Sequence, residues 1–198
     1  MKWYVKGKTL VIDGDFEALS SGFGGGRSSV KHILNSTVSS GFEAEDHLKH
    51  LEKKFNIRHS YFSLLTALDM RYLAFYEMQD IYTFVTAGIA NPVHFNFGTI
   101  NIIIISKRPL SEGALVNCVI TATEAKTFTL FECGFNFSGT STDAVVVAYE
   151  RSEKEEIEFS GPYTRFGREI VKSVRVGIRR SLKMQGCTCH HRHGNDIH

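Results

Sequence analysis

The chain has 198 residues, of which 42% are hydrophobic, 12% aromatic and 22% charged, the balance of one ordinary globular domain. Lys and Arg total 23 against 21 Asp and Glu, a formal charge of +2, and the basic residues are scattered except near the C-terminus, so no nucleic-acid partner is expected. This composition excludes disorder, a collagen, a coiled coil and a disulfide scaffold, but it names no function.

The apolar runs, such as Ile102 to Ile105, fall far short of the roughly 20 residues that cross a bilayer, so no membrane partner is expected. The N-terminal residues carry no apolar stretch of signal-peptide length. Cys118, Cys133, Cys187 and Cys189 are too few and too clustered for a disulfide frame, which makes a reducing cytoplasm the expected compartment.

In chain order, Trp3 to Val5 and Thr9 to Ile12 flank Lys6-Gly7-Lys8 and predict a hairpin, followed by a strand through Phe16 to Ser20. A glycine-rich loop, Gly22 to Gly26, precedes a short strand near Ile33 to Val38. Ala44, Leu48, Leu51 and Phe55 recur at helical spacing between charges, so Glu43 to Phe55 reads as an amphipathic surface helix. Strands follow at Tyr61 to Thr66, Tyr72 to Tyr76 and Ile81 to Thr86.

Asn91-Pro92 marks a turn. The isoleucines of Ile100 to Ile105 do not alternate with polar residues, which predicts a strand covered on both faces. Ser111 can cap a helix running to about Cys133, and Ala144 to Ala148 reads as a further buried strand. After Gly161-Pro162 comes a last helix, with Phe166, Ile170, Val174 and Ile178 opposite Arg168, Lys172, Arg175 and Arg179. The fold expected is α+β, a layered sandwich of mixed or antiparallel sheet with about three helices. Residues 1–182 form its domain and residues 183–198 a Cys/His-rich tail.

Polar residues stand in unexpected places. On the middle helix, Leu115, Val116, Val119, Ile120, Leu130 and Phe131 fall within an arc of roughly 160°, and Thr123, Lys126 and Thr127 fall inside it, with Glu124 at its edge. A lysine on an apolar stripe costs desolvation energy unless it is paired or used; the bland alternative is that it snorkels to the surface. Other polar groups gather at strand ends and turns: Ser20, Ser21, Asn35, Asn91, Asn101, Thr99, and Ser138 to Asp143. Rigid scaffolds present chemistry from such loops, although any one of these residues serves equally as a turn or cap.

The glycine-rich loop lacks the Gly-Lys-Ser/Thr ending of a phosphate-binding loop; its functional reading is a close backbone approach to a bulky ligand. His32, His47, His50 and His59 share no metal-ligand spacing. His94 is of interest only for its proximity to Asn91-Pro92. The single metal-like cluster is Cys187, Cys189, His190, His191 and His193, dense enough for a flexible scavenging tail rather than a preformed tetrahedral site.

Leu19-Ser20-Ser21-Gly22-Phe23-Gly24-Gly25-Gly26, Leu34-Asn35, Asn91-Pro92, Gly98-Thr99-Ile100-Asn101-Ile102, Ala114-Leu115-Val116-Asn117, Thr121-Ala122-Thr123-Glu124-Ala125-Lys126, Gly139-Thr140-Ser141-Thr142-Asp143-Ala144 and Gly161-Pro162 follow one another in an order that resembles the adenosylcobinamide amidohydrolase family over about Phe16 to Leu182. Ser138 stands where threonine would be more usual, with the hydroxyl kept. The tail lies outside the resemblance. What the resemblance implies is hydrolysis of the amide joining aminopropanol to the corrin ring of adenosylcobinamide. The product, adenosylcobyric acid, can re-enter cobamide synthesis, so the enzyme serves salvage and remodelling. The corrinoid is then substrate, and no cofactor is expected.

Cleaving an amide requires a nucleophile, stabilisation of an oxyanion and a proton for the departing amine. Glu124 or Asp143 could activate water, and Lys126 could stabilise the oxyanion or protonate the amine. Ser20, Ser21, Asn35, Asn91, Asn101, Thr123, Thr140 and Thr142 could hold the amides of the corrin, with Gly24, Gly25 and Gly26 near the macrocycle. Gly98-Thr99 is also similar to self-processing amidohydrolases in which Ser or Thr after glycine is the nucleophile, which would favour an α/β/β/α sandwich and a covalent route through Thr99. Direct attack by water is the route expected here, because two acidic candidates flank the site. Two other functions compete: a corrinoid-binding protein without catalysis, and a metal handler built around the tail.

Overall fold

Ile100–Ser106 is buried at all seven positions, and its side chains divide between two cores. The computed structural model describes residues 1–89, 98–187 and 189. Its strands are β1 (Lys2–Lys6), β2 (Thr9–Ser20), β3 (Gly26–Thr37), β4 (Tyr61–Thr66), β5 (Ala74–Glu77), β6 (Ile81–Ala87), β7 (Ile100–Ser106) and β8 (Ala144–Glu150). The helices are α1 (Ala44–Phe55), α2 (Glu112–Glu132) and α3 (Arg165–Met184).

The strands form one mixed sheet in the order β4-β3-β2-β8-β7-β6-β5, with β1 added beside β2. The β3/β4 and β7/β8 pairs are parallel and the other pairs antiparallel. Ile100, Ile102 and Ile104 pack with Leu115 and Cys118 of α2 and with Ile170, Val174 and Ile178 of α3. Ile103 and Ile105 turn the other way, onto Leu10, Ile12, Ile33 and Leu64 from the opposite end of the sheet. The sheet therefore curls over on itself around this second core. A third, small core of Val11, Leu34 and Leu51 lies under α1. The succession is helix, half-sheet, half-sheet, helices: an α+β sandwich of the α/β/β/α form. Among the described residues no helix is long and apolar enough to cross a membrane.

Several boundaries differ from the sequence expectation. The two strands expected at Thr9 to Ile12 and Phe16 to Ser20 are one strand, β2, whose register with β3 shifts between Asp13 and Phe16. β3 begins at Gly26 rather than near Ile33, because serines and charges on its outer positions hide the alternation. A short 3-10 turn, Met70–Tyr72, takes the start of the strand expected there.

The apolar stripe of α2 is also displaced. Its buried face runs through Ala114, Leu115, Cys118, Ala122, Ala125 and Leu130, while Val116, Ile120 and Phe131 are exposed. Alanines and Cys118 make up most of the buried face, with Leu115 and Leu130 the bulky residues on it, so a count of large apolar residues displaces the stripe. The N-terminal cap is as expected: Ser111 Oγ accepts from the Ala114 backbone N–H. On α3, Arg175 and Arg179 do not face solvent alone but pair with Glu132 of α2.

Candidate functional site

The heads of β7 and β8 meet the end of β4 at a cavity of about 970 Å³. Thr99 and residues 141–144 line one side, residues 64–67 another, and the loops carrying Ser21 to Phe23 and Val38 to Phe42 complete the wall. Among the described residues, Asp143 is the one ionisable residue lining it. The remainder are hydroxyl-bearing, apolar or glycine.

Asp143 is fully engaged. Its Oδ1 accepts from the Ile100 backbone N–H at 2.8 Å and from Thr140 Oγ1 at 2.5 Å; its Oδ2 accepts from the Thr140 backbone N–H at 3.0 Å and from Lys126 Nζ at 2.5 Å. Both side chains of the ion pair are about nine-tenths buried. Lys126 is thus paired across the fold rather than snorkelling to the surface, as desolvation requires of a buried charge. Glycine at position 139 permits this approach, since a Cβ there would collide with both Asp143 Oδ2 and Lys126 Nζ. Asp143 also serves as a strand-end cap: by holding the Ile100 N–H it fixes the backbone just after Thr99. Thr99 Oγ1 lies 2.7 Å from Thr142 Oγ1, and both residues line the cavity.

The other expected residues separate into those that reach the cavity and those that do not. Ser21 lines it, and its Oγ accepts from the Val145 N–H at 2.9 Å, pinning the glycine-rich loop to β8. Ser20 is buried and accepts from the Gly22 N–H. Gly22 and Phe23 line the cavity, whereas Gly24, Gly25 and Gly26 do not. Asn35 and Asn101 are each 1% exposed and are spent on internal bonds: Asn101 Nδ2 donates to Asn35 Oδ1 and to the Leu65 carbonyl, and Asn35 Nδ2 donates to Thr86 Oγ1. They join β3, β4, β6 and β7 beside the cavity rather than forming its wall. Glu124 and Thr123 stand on the exposed face of α2, where Thr123 donates back to the Val119 carbonyl. Asn91 and His94 lie outside the described residues.

No cluster of three or more His, Cys, Asp or Glu placed to hold a metal occurs among the described residues. Cys189 is instead bonded to Cys133, at the end of α2. The sequence reading expected no disulfide frame; this single bridge spans 56 residues and has no local spacing to announce it. His190, His191 and His193 lie outside the described residues, and Cys187 is a free thiol. Burial pushes the Cys118 thiol up to about 12, so it is no nucleophile at neutral pH. The sequence reading missed the segments 38–42 and 64–67, whose only polar side chains are the hydroxyls of Ser39, Ser40 and Thr66 and which carry no motif to single them out.

A layered α+β frame whose hydroxyl-lined cavity sits on one buried ion pair defines a site for a bulky ligand recognised by hydrogen bonds and apolar contact rather than by charge. The model of the adenosylcobinamide amidohydrolase family (CbiZ) matches residues 5–189, and the chain belongs to that family. A relative from Methanosarcina mazei named adenosylcobinamide amidohydrolase is 42% identical, over 94% of this chain and 100% of its own length. One of the same name from Halobacterium salinarum is 28% identical, over 83% of this chain and 79% of its own. A structure of the PH0078 protein from Pyrococcus horikoshii aligns with 92% of this chain and 78% of that one at 13% identity, with a TM-score of 0.44.

Proposed function

We infer that the chain hydrolyses adenosylcobinamide to adenosylcobyric acid and aminopropanol in the cavity at the heads of β7 and β8. The observation that carries this is the cavity itself: about 970 Å³, walled by hydroxyls and apolar side chains, with its single carboxylate already neutralised from behind. A corrinoid is large, apolar over most of its body and fringed with amides, which such a wall can contact and hydrogen-bond.

The engagement of Asp143 favours a covalent route over direct attack by water. Each Asp143 oxygen already accepts two hydrogen bonds, so neither has a lone pair free to hold an attacking water, and Glu124 is outside the cavity. In this reading Thr99 Oγ attacks the amide carbonyl carbon, and its proton passes by way of the Thr142 hydroxyl to the nitrogen, which leaves as aminopropanol. Water then cleaves the Thr99 ester, giving the acid and regenerating the hydroxyl. Thr140, Asp143 and Lys126 position the Thr99-Ile100 backbone and do not touch the reacting atoms. Ser21 and Thr142 are the substrate-facing hydroxyls retained from the sequence reading.

We place this reaction in the cytoplasm, where the acid would be consumed by cobamide synthesis, and assign it to a domain of residues 1–182. The Cys133–Cys189 bridge ties the start of the tail, residues 183–198, to it. The near-neutral charge gives no support to a nucleic-acid partner. The test is incubation of pure protein with adenosylcobinamide, with the mass of the corrinoid product as readout. Release of aminopropanol supports the reading; binding without release refutes it.

A further inference from the structure

Two exposed phenylalanines stand in the wall of the cavity. Phe23 is 56% exposed and Phe42 is 40% exposed, and they come from separate loops, β2–β3 and β3–α1. Each sits beside a glycine with a left-handed backbone, Gly24 at φ 65° and Gly41 at φ 76°, which lets the turns present a ring outward instead of folding it into a core. No core cluster includes either ring. Their neighbours in the wall, Ser21, Ser39 and Ser40, can hydrogen-bond amides, but a phenylalanine can offer a ligand only apolar area and a flat π face.

We propose that Phe23 and Phe42 grip the conjugated body of the corrinoid and set its affinity, leaving bond cleavage to Thr99. This rests on the reading of the cavity as the adenosylcobinamide site. The ligand class follows from the pair: an extended, largely planar macrocycle presents enough apolar surface to reach side chains on two different loops, while its amide fringe meets the serines between them. Loss of either ring removes contact made equally in ground and transition states, so it raises KM and leaves kcat little changed.

The experiment compares wild type with Phe23→Ala, Phe42→Ala and the double variant. It measures kcat and KM for adenosylcobinamide, equilibrium binding of adenosylcobyric acid, which the enzyme does not turn over, and thermal melting. The expected result is a rise in both KM and product Kd of about tenfold for each single variant, larger for the double, with kcat and melting preserved. Phe23→Leu and Phe42→Leu keep most of the apolar volume and should show smaller rises, and they carry the test if an alanine variant fails to fold. KM and product Kd within about twofold of wild type in every folded variant would overturn the proposal, since a tenfold loss is the size of effect one stacked ring predicts. Wild-type protein that neither cleaves adenosylcobinamide nor binds the acid would overturn the reading of the site as well; active wild type with unresponsive variants overturns the role of the phenylalanines alone.

Discussion

At the scale of single residues, the ion pair Lys126–Asp143 distinguishes positioning from chemistry. Lys126→Met keeps the stem's volume but leaves a nine-tenths buried carboxylate with three donors instead of four. Breaking a buried pair by removing one partner costs about 3–5 kcal/mol, and the Thr99-Ile100 backbone loosens with it. Lys126→Met should therefore lower both the melting temperature and kcat, and adding Asp143→Asn should cost less than the sum of the two single changes. Strict additivity in a double-mutant cycle would show that the two residues act separately. Glu124→Gln, on the exposed face of α2, should leave turnover unchanged, and a large loss in a rate assay would return it to the mechanism. Glu17 makes a separate prediction about pH. The Ser29 hydroxyl, with Arg27 and Arg151, outweighs burial and holds its carboxyl at about 2 against an ordinary value of 4.5. A depressed carboxylate pKa stabilises the fold above the unfolded value and is lost as pH falls through the folded one. Unfolding free energy should fall between about pH 4.5 and 2, and Glu17→Gln should flatten that part of the profile.

At the scale of elements, what was legible in the sequence depended on whether pattern and burial agree. β7 was readable because an unbroken run of isoleucines has one explanation, burial on both faces, and α3 because its apolar residues recur every four positions. α2 was readable as a helix but not in its orientation: alanines and a cysteine pack against the sheet, and Val116, Ile120, Phe128 and Phe131 are left exposed. Lys126, singled out from an arc that was otherwise displaced, is buried and paired with Asp143. The Cys133–Cys189 bridge was not legible at all, because a pairing over 56 residues depends on where the fold places two distant points. A bridge of this kind contributes about 2–4 kcal/mol, chiefly by constraining the unfolded chain. Cys189→Ser and truncation after Lys183 should each lower the melting temperature by roughly 5–15 °C while kcat is unchanged, because no cavity-lining residue is removed. Loss of turnover in a truncation that still melts cooperatively would make the tail part of the site.

At the scale of the whole molecule, the site exists because the sheet curls. Thr99 and Thr142 come from strand heads, Phe23 and Phe42 from loops, and residues 64–67 from the far edge strand, and no two of these segments adjoin in sequence. Thr99 and Thr142 were visible as strand-end polar groups, but their meeting with residues 64–67 depends on the packing of β4 toward β7. This is why Asn35 and Asn101, read from sequence as ligand contacts, prove to be internal braces, while two phenylalanines without catalytic chemistry stand in the wall.

The most direct measurement is a mass analysis of both protein and corrinoid during reaction with adenosylcobinamide, on wild type, Thr99→Ala and Thr99→Ser. The covalent reading predicts adenosylcobyric acid from wild type, a loss of about 10³-fold or more in Thr99→Ala, residual turnover in Thr99→Ser, and a transient corrinoid ester on the peptide containing Thr99. Near-wild-type turnover by Thr99→Ala with no adduct at any time would contradict it.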